Sequence, residues 1–224
     1  MTDLMARVPW HSRREIADEA EALLCRYTAF AGKVISPPIP VEELVEHYLG
    51  ITLEYDDLET RLGIPDVLGA TWVEKKLMVI HEPLLEGAEG RLVFTCAHEV
   101  GHWIMHRELA QKEFKRTGNE AIVCRDGSVK LRGEWQADYF ASCLLMPEEA
   151  VQEAFARVFG GKPLVMYNAR SCYGRGAPLL DPALDTAPEI AEAVKQAGGF
   201  TNCSREAMRY RLEDLDLLIN LTGK

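Results

Sequence analysis

Between Arg91 and Glu108 the chain places Leu92, Val93, Phe94, Cys96, Val100, Trp103, Ile104 and Met105 over most of the surface of one helix. A helix that is apolar nearly all round has to be buried. The same stretch also carries His98-Glu99-Val100-Gly101-His102. Any fold that encloses this helix must therefore find partners for two imidazoles and a carboxylate. Residues four apart share a helix face, so His98 and His102 point at a common spot, the arrangement a zinc ion takes from two of its ligands. Glu99, three residues before His102, flanks that face and can take a proton from an attacking water. Two core histidines are the alternative reading, but a glutamate between them at this spacing favours the metal and a chain that hydrolyses amide bonds. Gly101 inside the helix costs about 1 kcal/mol relative to alanine; close approach of another backbone is one reason to keep it, plain tolerance another.

A catalytic zinc site needs a third protein ligand and an open fourth position. Glu134 opens a second helix, Glu134-Trp135-Gln136-Ala137-Asp138-Tyr139-Phe140-Ala141. Glu134, Ala137, Asp138 and Ala141 form one stripe, and the two alanines allow close approach to the first helix. Glu134 is then the expected third ligand, against the alternative of a carboxylate that simply favours a helix N-terminus. Asp138, one turn on, is expected to accept the outer ring N–H of a ligand histidine and so fix its tautomer; the alternative is a solvated helix residue. His106 continues the stripe but is expected to pack or hydrogen-bond rather than ligate, and His81 is expected to be structural. Tyr139, Tyr167, Arg170 and Tyr173 are all open as donors to a developing oxyanion. Zinc is the expected ion, with manganese or iron also suited to His and Glu donors.

Around these helices the periodicity predicts an α+β fold. A helix is expected over residues 12–31 and a shorter one over 41–49, followed by strands over 51–55, 67–73 and 77–81, which make a small sheet. The polar stretch from Arg107 to Gly133 holds seven Lys or Arg against four Asp or Glu and is expected to be a solvated loop. Asp126-Gly127 marks a hairpin within it. Helices follow over 134–145, 148–159, 188–197 and 204–215. Two divisions are expected: residues 1–160 around the metal and residues 161–224 as an irregular segment with a helical tail.

Composition narrows the function classes. A net charge of −10 and a pI near 5.2 argue against a dedicated nucleic-acid or anionic-membrane surface. From Ala187 onward five Lys or Arg meet six Asp or Glu, so the tail lacks the basic footprint of a DNA reader. It is expected to pack or to dock a partner. Met1 to Arg14 shows no export signal, no apolar run reaches membrane-spanning length, and the six scattered cysteines are expected to be reduced thiols in a cytoplasmic protein.

The runs Arg91–His106 and Glu134–Pro147 are similar to the two signatures of the ImmA/IrrE metallopeptidase family, and the segment from Pro37 to Ile51 is similar in style to its leader. A weaker likeness spans Phe200–Leu212, where Cys203 stands in place of the usual valine. The resemblance implies a zincin-like domain with zinc on His98, His102 and Glu134 and with Glu99 as base. It also implies a protein substrate, a helix-turn-helix repressor of a mobile element, prophage or stress regulon. The rival expectation is a regulatory protein that binds a repressor or DNA without cutting, with the metal structural or absent; metal content separates the two.

Overall fold

The computed structural model describes residues 4–87, 89–118, 121–125, 131–166 and 186–221. Helix α1 spans Arg13–Ala31. Ser12 caps it, accepting from Glu15 N–H while the Glu15 carboxylate accepts from Ser12 N–H, a reciprocal capping box. Gly32 ends it in the left-handed region at φ 64°. Helix α2, Val41–Glu43, runs into a wider π-turn over Leu44–Tyr48. Strand β1 (Thr52–Asp56), short helix α3 (Leu58–Leu62) and strands β2 (Val67–Trp72) and β3 (Leu77–His81) follow.

The long helix α4 runs Glu89–Thr117. Its C-terminal third corrects the expectation of a loop from Arg107. Lys112, Lys115 and Arg116 are polar because they face water, not because the chain is irregular. Arg116 pairs with Glu113 one turn back at 2.6 Å. Strand β4 (Ile122–Arg125) and helix α5 (Arg132–Leu145) complete the first unit. The Asp126-Gly127 hairpin lies outside the described residues.

The first unit, Met1–Leu145, holds a mixed four-stranded sheet ordered β1-β3-β2-β4. β1 pairs parallel with β3, and β2 pairs antiparallel with both β3 and β4, with an irregularity between Val67 and Gly69. Alternation splits the sheet. Ala70, Trp72, Leu77 and Val79 cluster with Leu58 and Leu62 of α3 on one face, and α4 lies against β2 and β3. α4 in turn packs on α5 and α5 on α1. An alanine Cβ at Gly101 would fall 3.1 Å from Ala137 Cα and 3.2 Å from its carbonyl oxygen, so α4 and α5 meet backbone to backbone and Gly101 is kept for that approach.

The second unit, Met146–Lys224, contains α6 (Glu148–Phe159), β5 (Leu164–Met166), α7 (Ala187–Gly198), α8 (Arg205–Asp214) and β6 (Leu218–Asn220). β5 and β6 pair in parallel; β6 has no counterpart in the sequence reading. Phe155, Val194, Phe200, Met208 and Leu212 are buried. Arg211 is buried too, and its Nε donates to Met146 O at 3.0 Å. Within this second unit α6 packs against α7. No helix among the described residues is long and apolar enough to cross a membrane.

Candidate metal centre

The helical spacing of His98 and His102 brings their Nε2 atoms to 2.9 Å, edge to face. α5 delivers Glu134 from its first turn, with Oε2 3.3 Å from His98 Nε2 and Oε1 3.6 Å from His102 Nε2. All three side chains are buried, and one donor atom from each lies within 4.8 Å of the others. Two imidazole lone pairs and a carboxylate facing one another in a dry site repel unless a proton or a metal cation lies among them. A tetrahedral ion bound at about 2.1 Å separates its ligand atoms by about 3.4 Å, close to the spacings seen, so the donor set fits a divalent metal.

The charges point the same way. Burial pushes the His98 proton affinity down, but hydrogen bonding to Asp138, Cys124 and Glu134 outweighs it and raises the group well above its ordinary value. Burial raises the Glu134 carboxyl, but hydrogen bonds with His102 and His98 hold it well below the usual range. Surroundings that retain a proton on His98 also favour a divalent cation.

Outer contacts fix the rings. His98 Nδ1 lies 2.9 Å from Asp138 Oδ1; the carboxylate accepts, so Nδ1 carries a hydrogen and Nε2 is the nitrogen turned toward His102 and Glu134. His102 Nδ1 lies 2.9 Å from His106 Nδ1. His106 is pushed down to about 4 by burial and by the neighbouring His102, so it is neutral at ordinary pH.

Beside this cluster, on the flank of α4 that faces β2, Glu99 is fully buried. Its Oε2 accepts from Thr71 Oγ1 at 2.6 Å. Its Oε1 is the one buried side-chain oxygen or nitrogen without a hydrogen-bond partner among the described residues. Burial raises the Glu99 carboxyl, opposed by His102 and His98. A Cβ at Gly69 would fall 2.6 Å from that same Oε1, so only glycine lets the carboxylate lie there. Cys124 of β4, opposite Gly69 in the ladder, has its thiol within 4.8 Å of donor atoms of His98 and Glu99. Burial raises that thiol, opposed by hydrogen bonding to His98.

Gly69, Thr71 and Cys124 were not singled out from the sequence. A glycine inside an apolar strand was the available signal, since it marks close approach. His81 Nδ1 accepts from Leu58 N–H at 3.2 Å, a structural contact at the start of α3. Tyr139 stacks on Trp135, with the Arg13 guanidinium 5.5 Å from its ring centre. Tyr167, Arg170 and Tyr173 lie outside the described residues. The described cysteines, Cys25, Cys96, Cys124, Cys143 and Cys203, are free thiols.

The family model described as Peptidase M78, IrrE N-terminal-like domain, matches residues 49–160. The chain belongs to the IrrE N-terminal-like peptidase family. No curated protein matches it. Membership implies a metallopeptidase acting on protein, and the matched span of this IrrE-like chain runs from just before β1 through α6 and contains His98, His102 and Glu134.

Proposed function

We propose that this IrrE-like chain is a zinc-dependent endopeptidase whose substrate is a helix-turn-helix transcriptional repressor. His98, His102 and Glu134 hold the ion, Glu99 is the catalytic base, and Asp138 orients His98. The observation that carries the reading is the convergence of two imidazole Nε2 atoms and a carboxylate beside a second, unpaired buried carboxylate oxygen. When bound, the ion supplies Lewis acidity to a water and to the scissile carbonyl. Thr71 holds Glu99 Oε2, which leaves Oε1 to take a proton from the attacking water and pass it to the leaving amine. Asp138 keeps the hydrogen of His98 on Nδ1 so that Nε2 stays free to ligate.

The repressor is carried by the family likeness. A protein rather than a nucleic acid is supported by the near-neutral tail and by Arg211, whose guanidinium is taken up by the Met146 carbonyl. We take residues 1–160 as the catalytic domain, 161–224 as an accessory helical tail, and the cytoplasm as the site of action. The test is coexpression with a candidate repressor, followed by mass spectrometry of its fragments. Cleavage by the parent and none by Glu99→Gln, with zinc retained in both, is the expected result. Cleavage by Glu99→Gln at the parental rate overturns the mechanism.

A further inference from the structure

The two histidines are oriented by different means. His98 leans on a carboxylate. His102 leans on a relay that leaves the matched family span altogether. From His102 Nδ1 the contacts run to His106 Nδ1 at 2.9 Å, from His106 Nε2 to Gln136 Oε1 at 2.9 Å, and from Gln136 Nε2 to Pro9 O at 2.8 Å. His102, His106 and Gln136 are all essentially sealed from solvent.

The direction of the relay follows from its far end. A backbone carbonyl only accepts, so the amide nitrogen of Gln136 faces Pro9. The Gln136 oxygen only accepts, so His106 carries its hydrogen on Nε2. A neutral imidazole has a single N–H, so His106 Nδ1 presents a lone pair. His102 must then donate from Nδ1, and its Nε2 lone pair is left facing His98 and Glu134. The reverse order would set the His106 Nε2 lone pair against the Gln136 oxygen in a buried site.

The segment that ends the relay is independently fixed on α5. A Cβ at Gly133 would fall 2.6 Å from Met5 Sδ and 3.2 Å from Met5 Cα, so Met5 sits directly on the turn that bears Glu134. Arg132 Nη1 donates to Val8 O at 3.1 Å. Met5 and Val8 are buried.

We infer that the strap Leu4–Pro9 is a working part of the metal centre: through Gln136 and His106, the Pro9 carbonyl sets His102 in its metal-ligating tautomer. His106 and Gln136 are positioning residues, and the strap couples the chain before α1 to ligand geometry. This rests on the reading that His98, His102 and Glu134 hold the ion.

The test is long-range 1H–15N NMR of the zinc-loaded full chain, which reports the protonated nitrogen of each imidazole. The expected pattern is hydrogen on Nδ1 of His98 and His102 and on Nε2 of His106. Gln136→Leu should scramble the His106 signal and weaken zinc binding, measured by chelator competition, by about 10–100-fold. Val8→Asp, which dislodges the strap without touching the relay, should shift both readouts in the same direction. His106 carrying its hydrogen on Nδ1 in the zinc-loaded parent would overturn the inference, even if the variants fail to fold. So would parental zinc affinity in Gln136→Leu. A parent that binds no zinc would instead overturn the metal reading on which the inference rests.

Discussion

The two sides of α4 are built on opposite terms. Toward α5 the outer ring nitrogens have partners: His98 meets Asp138, and His102 meets the His106–Gln136 relay. The backbones there touch at Gly101 and Ala137. Toward β2 the same helix buries Glu99 with one oxygen held by Thr71 and the other unpaired. Satisfied buried networks rigidify, which suits ligands that must hold an ion at fixed distances. An unpaired buried acceptor is a cost the fold carries, and it leaves a group ready to accept a proton. The helix thus presents a rigid ligand face and a reactive face one residue apart.

Substitutions on the two faces should therefore separate. On the α5 side, Glu134→Gln or His102→Ala should abolish stoichiometric zinc and cleavage together, as read by elemental analysis and a cleavage assay. On the β2 side, Glu99→Gln should keep zinc and lower turnover by about 10²–10⁴-fold, the range of a general base. If it also loses zinc, the two faces are not independent. Asp138→Asn should weaken zinc affinity by about 10–100-fold, with Glu99 chemistry left in place once the ion is saturating. Chelator competition and turnover at high zinc distinguish these.

The smallest effect concerns stability. Burial raises the Glu99 carboxyl above its ordinary value of 4.5. The folded chain then binds that proton more tightly than the unfolded chain. Its contribution to stability falls as pH rises from about 4.5 through the raised value. In metal-stripped protein Glu99→Gln should therefore raise the melting temperature at pH 7, by about 2–4 °C for each kcal/mol recovered, and the gain should vanish below pH 4.5. An equal gain at both pH values would place the effect in packing rather than in the buried charge.

The cluster that faces α5 was the more legible in sequence. The spacing of His98 and His102, and the stripe of Glu134, Ala137 and Asp138 on the next helix, each lie within a single helix, and the structure brings His98, His102 and Glu134 together. The capped α1 and the strands β1 to β3 were legible for the same reason. Sequence patterns were silent where partners come from distant elements. Thr71 and Gly69 matter only because β2 happens to face Glu99. Gln136 lies off the Glu134–Asp138 stripe and gains its role from Pro9, more than a hundred positions away. The end of α4 was misread because a solvated helix surface and a loop share a polar composition, and the three-residue strands β5 and β6 are too short to carry a period.

Anomalous scattering at the zinc edge from crystals of the full chain reads the ligand set directly. One zinc should appear, bound by His98 Nε2, His102 Nε2 and a Glu134 oxygen at about 2.0–2.2 Å, with Glu99 outside the coordination sphere. An ion held by Glu99 or Cys124 in place of Glu134, or no zinc among these side chains in a zinc-soaked crystal, would contradict the assignment of the two faces.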